Sequence, residues 1–326
     1  MKIVFMGTGD FAVPSLEAIH GAGHEVSLVV SQPDRPQGRG LSLRKTPVKI
    51  AAERLGLGLF QPEKLRLDPD PVIAMKAEVL VVVAYGQILR ESILECANWG
   101  AVNVHASLLP KYRGAAPIQW AIASGEAQTG VTTMRLDRGM DTGPILLQKT
   151  CAIDPEDTTA ALEPRLAMLG AALLIDTLAG LVNGSVEPTP QDEASSTKAP
   201  LIRKSDGDVD FSLSADQTAN RVRGFSPWPG VQFRRQGRSI RILCAAAIGG
   251  APDLAPVPGT IVRVSRQGLD VACAQGSLLR LQLLQPESRG PVSAFDFANG
   301  AKLRAGEVLA GSIPKTAARG TIDASD

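Results

Sequence analysis

A chain of 326 residues, 44% of them hydrophobic, is long enough for two domains and a large core. Its formal charge of +1 excludes recognition of nucleic acid through bulk charge, so such a partner has to meet a local basic patch. No uninterrupted apolar stretch approaches the roughly 18 residues of a membrane span, and the start of the chain lacks a charged leader with an apolar core and cleavage site. The expectation is therefore a soluble, cytoplasmic protein with no membrane partner. Cys96, Cys151, Cys244 and Cys273 form no Cys-x-x-Cys pair and suggest neither a zinc knuckle nor a redox dithiol; buried thiols are expected.

In chain order, residues 2–6 read as a buried strand, and Gly7, Gly9 and Ala12 mark a turn into a helix that Pro14 can begin. Gly-x-Gly-x-x-Ala is a weak dinucleotide fingerprint. Its acidic partner would be Asp34, which sits in a loop between Pro33 and Arg35 and not at a strand tip, so a glycine-rich turn without nucleotide is the better reading. His20 and His24 have the spacing of two ligands on one helical face, but Gly21 and Gly23 place them in a turn. Residues 25–30 form the second strand. A long polar connection follows at 31–46, carrying Arg35, Arg39, Arg44 and Lys45; structureless connections of this length are usually functional.

Thr46 and Pro47 cap and open a helix over 47–55, and Asp68-Pro69 starts another. The aliphatic run at 78–84 fits a central parallel strand, and a helix near 88–95 leads to a strand ending at His105. This β-α-β-α-β order argues for a doubly wound, mostly parallel sheet. Along the strand at 101–105, Asn103 and His105 share one face and Val102 and Val104 the other. Pro110 and Gly114 stop the strand, and in open parallel sheets ligands bind at the carboxyl ends. A helix at 116–124, strands at 130–136 and 145–153, and a helix at 158–182 interrupted by Pro164 follow. Gly139 and Gly143 bracket Asp141, which suggests a loop backbone that few other residues tolerate.

Residues 183–208 are polar and hold Pro188, Pro190 and Pro200, which places a linker there between a domain at 1–182 and one at 209–326. Beyond it, strand candidates at 232–234, 238–245, 259–265, 268–273 and 277–284 suggest a small β-barrel. Arg221, Arg223, Arg234, Arg235, Arg238, Arg241, Arg263, Arg266 and Arg280 could give it a basic face for a phosphate backbone, unless folding spreads them. Ser107, His105 and Asp141 could also be read as a hydrolase triad, but no Gly-x-Ser-x-Gly elbow surrounds Ser107.

Asn103, His105 and the run Ser107-Leu108-Leu109-Pro110, then Arg113, Pro117, Gln119 and Asp137 to Gly143, resemble the signature of the formyltransferases that use 10-formyltetrahydrofolate. Supporting matches lie at 7–11, 32–36, 38–40, 83–86 and 228–230. Ala106 stands where the family usually has Gly, and Gly9 where it usually has Pro. The resemblance implies a Rossmann-like catalytic domain followed by an OB-like barrel that binds tRNA. It implies Asn103, His105 and Asp141 as catalytic residues, and a folate site lined by Ser107, Leu108, Leu109 and Pro110 with Val82, Ala84, Tyr85 and Gly86. The 31–46 connection resembles an insertion that reaches the tRNA acceptor stem, with Arg39 as its key arginine beside Arg44 and Lys45. Initiator methionyl-tRNA is then the expected partner, 10-formyltetrahydrofolate the co-substrate, and a monomer with no metal the working form. Family members acting on nucleotide-linked sugars carry Arg-Ala-Pro where this chain has Ala115-Ala-Pro117. A nicotinamide-dependent oxidoreductase, or a tRNA-binding module without activity, leaves the trio unexplained.

Formyl transfer to an amine requires a neutral amine, donors for the carbonyl oxygen and a route for the surplus proton. Asn103 and His105 offer the donors; Asp141 offers the carboxylate, either orienting His105 or taking the proton through water.

Overall fold

The aliphatic run Val79–Val83 is a strand with all five residues buried, as a strand covered on both faces must be. It is the middle strand of a seven-stranded sheet in the computed structural model, which describes residues 1–37, 42–250 and 256–309. In chain order the elements are β1 (Lys2–Gly7), α1 (Val13–Gly21), β2 (Glu25–Val30), β3 (Arg35–Gln37), β4 (Ser42–Arg44), α2 (Pro47–Arg54), β5 (Leu59–Phe60) and α3 (Asp70–Ile73). Then come β6 (Val79–Val83), α4 (Glu91–Leu94), β7 (Ala101–His105), α5 (Pro117–Ala123), β8 (Gln128–Arg135), β9 (Ile145–Ala152) and α6 (Thr159–Asn183). The remainder is α7 (Ala215–Gly224), β10 (Val231–Arg235), β11 (Arg238–Ile248), β12 (Ile261–Ser265), β13 (Gly268–Ala272), β14 (Leu278–Pro286), β15 (Val292–Ser293) and α8 (Ala294–Ala301).

The chain forms two units. The first holds Met1–Ile118, Ala127–Pro155 and Ala161–Leu201; the second holds Gln119–Glu126, Glu156–Ala160 and Ile202–Asp326. In the first, seven strands follow the order β5-β2-β1-β6-β7-β8-β9. The pairs from β5 through β7 are parallel and the last two are antiparallel, which is the doubly wound, mostly parallel sheet expected. Strand order reverses between β1 and β6, so the crevice for a ligand lies at their carboxyl ends. On one face α6 lies close across the sheet: a Cβ at Gly170 would stand 2.8 Å from Val104 Cγ1, and the Thr177 and Thr133 hydroxyls meet at 2.7 Å.

Several expectations need correction. The 31–46 connection is not structureless, since β3 and β4 pair within it as an antiparallel hairpin. The helix expected near 88–95 shrinks to the four residues of α4. Pro164 neither starts nor visibly divides α6; it lies in the second turn, where a proline forfeits only one early backbone bond. α6 is long and apolar enough to cross a membrane by length and composition, but Arg165 and Asp176 interrupt its apolar run, as expected, and 56% of that window is buried inside the protein. The polar segment 183–208 does not run free: Thr189 exchanges two backbone bonds with Ile145, and Thr197 and Ala199 bond the backbone around Arg113. Of the cysteines only Cys273 is buried, its thiol pushed up to about 11 by burial; Cys244 is exposed.

The second unit contains an antiparallel sheet ordered β10-β11-β14-β13-β12, with β15 on β14. It also has two helices that the strand reading omitted. α7 begins at a reciprocal cap, Ser214 accepting from the Gln217 amide while Gln217 accepts from Ser214, and it places Arg221 and Arg223 on a helix and not on a strand. The expected basic face is thus partly dispersed, and Arg263 and Arg280 are both paired with buried Asp270.

Candidate functional site

β7 ends between two strands, so the side chains at its carboxyl end are held on both sides. Asn103 lies in register with Val82 of β6 and Met134 of β8, and His105 with Thr132. Both polar residues are buried, as is the rest of β7. His105 Nε2 lies 2.9 Å from the Tyr112 carbonyl, which can only accept, so Nε2 carries a hydrogen. Nδ1 then faces Asp141, 3.7 Å from Oδ2, and a proton held there points at the carboxylate. The Gly114 amide donates to the same Oδ2 at 2.8 Å. The structure therefore brings His105 and Asp141 together, with Asn103 two residues back on the same strand face. Among the described residues no partner holds the Asn103 amide, which leaves it available to a bound group.

The glycines around Asp141 act differently from the expectation. Neither Gly139 nor Gly143 adopts a left-handed backbone; Asp141 itself does, at φ 54°. The glycines are there for space, because a Cβ at Gly143 would run into the Arg135 carbonyl and one at Gly139 into the Thr142 hydroxyl. Asp137 secures the turn by accepting from the Gly139 amide at 2.9 Å and from the Thr142 hydroxyl at 2.7 Å.

The loop after β7 is fixed by two residues that the sequence reading missed. The Thr132 hydroxyl donates to the Ser107 carbonyl at 2.7 Å and accepts from the Leu109 amide at 3.1 Å; Gln148 donates to the Leu109 carbonyl at 2.8 Å. Their signal, alternate polar residues on neighbouring strands, becomes readable only once β8 and β9 are known to flank β7. Ser107 is fully buried and its hydroxyl donates to the Lys111 carbonyl at 2.6 Å, so it is not the nucleophile of a His105 triad. Leu109 is buried and precedes the cis peptide to Pro110; Leu108 and Pro110 are partly exposed.

Residues 82–86 lie at the end of β6, beside the switch point. Ala84 and Gly86 are exposed, both with positive φ. The Tyr85 ring points instead into the core with Val4, Met6, Val82 and Leu94, so its contribution to the crevice is its carbonyl, which accepts from Thr8 Oγ1 at 2.9 Å. The Tyr85 hydroxyl is buried without a protein partner, and burial pushes its pKa up to about 12.

In the basic loop, Arg39 lies outside the described residues. Arg44 is exposed on β4, and Lys45 is paired with Glu53 at 2.7 Å. Asp34 accepts from Lys49 at 2.6 Å and from Gln61 at 2.9 Å, and these bonds, Lys49 first, hold its carboxyl below the usual range. A carboxylate so engaged is not free to hold a ribose, against the nicotinamide reading. His24 Nδ1 lies 3.2 Å from the Met1 ammonium, and His20 is exposed on α1. Among the described residues no three His, Cys, Asp or Glu side chains are grouped to hold a metal ion.

The second unit has a cavity of about 430 Å³ whose lining includes Arg235, Arg238 and Arg289 along with Glu287, Asp296 and Phe297. Arg235 lies 3.7 Å from Glu307.

An open α/β sheet that presents an amide, an imidazole and a carboxylate at one strand end, with the nearby serine hydroxyl engaged elsewhere, has the equipment of a group-transfer enzyme and not of a serine hydrolase. Residues 1–178 match the family described as formyl transferase, and residues 201–302 match the formyl transferase C-terminal domain. The chain belongs to the formyl transferase family. It is 47% identical to the methionyl-tRNA formyltransferase of Solibacter usitatus, over 95% of this chain and 98% of that one. It is 48% identical to the methionyl-tRNA formyltransferase of Koribacter versatilis, over 92% and 96%. Among solved structures, the N-formyltransferase of Helicobacter canadensis, in complex with folinic acid and dTDP-3-aminofucose, superposes with a TM-score of 0.65 at 18% identity, covering 86% of this chain and 99% of that one. At that identity the likeness is one of fold.

Proposed function

We propose that the enzyme transfers the formyl group of 10-formyltetrahydrofolate to the free amine of methionyl initiator tRNA, the step that prepares that tRNA for translation initiation. The observation that carries this reading is the placement of Asp141 beside His105 at the carboxyl end of β7, in a chain nearly half identical to methionyl-tRNA formyltransferases along most of its length. Asn103 donates to the formyl oxygen as charge develops on it, and His105, whose Nε2 hydrogen is held by the Tyr112 carbonyl, adds a donor through Nδ1 in its protonated form. The amine attacks the formyl carbon, the bond from that carbon to the folate nitrogen breaks, and the surplus amine proton passes to Asp141 and from there to the departing nitrogen, which leaves as the neutral amine. An α-amino group has a pKa of about 7.7 to 8.0, so much of it is neutral near pH 7 and a carboxylate is a sufficient acceptor.

The folate lies against the wall made by Ser107, Leu108, Leu109 and Pro110 and by the backbone of Ala84, Tyr85 and Gly86, at the switch point of the sheet. The tRNA meets Arg39, Arg44 and Lys45 in the first unit and the arginine-lined cavity in the second. The enzyme works in the cytoplasm as a monomer, with 1–182 as its catalytic domain, 183–208 as the connector and 209–326 as its tRNA-binding domain. Formylation of charged initiator tRNA in the presence of 10-formyltetrahydrofolate tests the reading. Product is expected with methionyl-tRNA; formylation of a nucleotide-linked amino sugar in its place would overturn it.

A further inference from the structure

Asp141 holds a left-handed backbone that costs an L-residue roughly 1–2 kcal/mol, so something must fix it there. The Gln191 side chain does so from the segment 183–208. Its Nε2 donates to the Asp141 carbonyl at 2.8 Å and to the Gly143 carbonyl at 2.7 Å, spanning the two sides of the bend. Its Oε1 accepts from Arg113 Nε at 2.9 Å. An arginine only donates and a carbonyl only accepts, so the orientation of the amide is dictated by chemistry.

Arg113 is buried, and its two remaining nitrogens pair with both carboxylate oxygens of Glu193 at 2.9 and 2.8 Å. This fork leaves the guanidinium one orientation, with Nε aimed at Gln191. The next residue, Gly114, is the one whose amide holds the Asp141 carboxylate. The circuit therefore closes: Arg113 sets Gln191, Gln191 sets the Asp141 backbone, and Gly114 sets the Asp141 carboxylate. Backbone bonds fix both ends of the segment, from Thr189 to Ile145 and from Thr197 and Ala199 to Arg113.

We propose that Gln191, oriented by Arg113 and Glu193, is a positioning residue for formyl transfer: it touches no reacting atom and holds Asp141 in the place from which it serves the amine. The inference rests on the catalytic reading of Asp141. A carboxylate displaced by an ångström loses on the order of 10²-fold in rate even when substrates still bind.

The test is kinetic, with the full chain. Gln191→Ala is expected to lower kcat by about 10- to 100-fold while KM for methionyl-tRNA and for folate changes less than about threefold. In an Asp141→Asn background the same substitution should cost little more, because the group it positions is already disabled. Gln191→Glu keeps the pairing with Arg113 but cannot donate to the two carbonyls, so it should share the kcat loss; it also carries the comparison if the alanine variant fails to melt cooperatively. Wild-type kcat in both Gln191 variants overturns the proposal, as does a raised KM at constant kcat, or a loss that multiplies in full on Asp141→Asn. If Asp141→Asn itself retains normal kcat, the catalytic reading fails, a result distinct from failure of Gln191 alone.

Discussion

His105 Nδ1 stands 3.7 Å from Asp141 Oδ2, farther than a direct hydrogen bond, while the other ring nitrogen is held by the Tyr112 carbonyl. The imidazole is thus oriented without Asp141, and Oδ1 of the carboxylate accepts no hydrogen bond among the described residues, which suits the proton acceptor of the proposed mechanism. Asp141→Asn and His105→Ala are each expected to lower kcat by about 10² to 10⁴ with folate binding retained. The double variant should lose far less than the product of the two, because side chains that face each other in one proposed site act as a unit. Steady-state kinetics on charged initiator tRNA decides the matter, and fully multiplicative losses would separate the two roles.

Tyr85 offers a test of the folate wall. Its hydroxyl is buried in the core without a protein partner, so Tyr85→Phe should stabilise the chain by about 1 kcal/mol and leave folate affinity unchanged. The raised pKa, about 12 against an ordinary value near 10, fixes the sign at alkaline pH. The neutral form is the one folding tolerates, so this contribution is complete below about pH 10 and is lost as pH rises toward 12. Thermal melts between pH 8 and 12 should show that alkaline loss diminished in Tyr85→Phe. A tenfold fall in folate affinity would mean that the hydroxyl meets the ligand after all.

The basic hairpin makes unequal predictions for neighbouring residues. Arg44 is exposed on β4, whereas Lys45 is already paired with Glu53. Arg44→Ala should make the salt dependence of tRNA binding shallower by roughly one phosphate contact, and Lys45→Ala by less. Arg39→Ala should weaken tRNA use while folate affinity stays at the wild-type level. Binding titrations across ionic strength read all three, and equal slopes for every variant would make the hairpin a bystander.

What the sequence disclosed, and what it withheld, follows from the range of the interactions involved. β6 was legible because five consecutive aliphatic residues admit few other uses, and Asn103 and His105 because their alternation survives pairing on both sides. α7 was missed although Ser214 and Gln217, three apart, are a legible cap; the polar residues after them masked the helix. Gln191 carried no local signal at all. It lies among prolines in a polar segment, and its role exists only because the chain returns to Arg113 and Asp141. The sequence likewise points to Gly139 and Gly143 for the unusual backbone of that loop, since local propensity favours glycine, whereas the left-handed residue is Asp141, whose bonds come from distant residues.

Asp270 tests how the second unit is held together. It is buried on β13 and accepts from Arg263 Nε at 2.8 Å and Arg280 Nε at 2.7 Å. Burial alone would raise its carboxyl pKa, but the bonds from Arg280 and Arg263 outweigh burial and hold it below the ordinary value. A carboxyl depressed on folding contributes stability that is complete above the unfolded pKa of about 3.9 and disappears as pH falls through the lower folded value. Asp270→Asn removes the charge and strands two arginines, of which Arg263 remains well exposed and so is readily solvated. A loss of about 2 kcal/mol at pH 7 is therefore expected, short of the cost for a fully buried pair. Thermal melts at successive pH values should show the gap between wild type and variant at its widest near neutrality and closing below about pH 3.9. A gap that persists unchanged in acid would mean that shape, and not charge, is what Asp270 supplies.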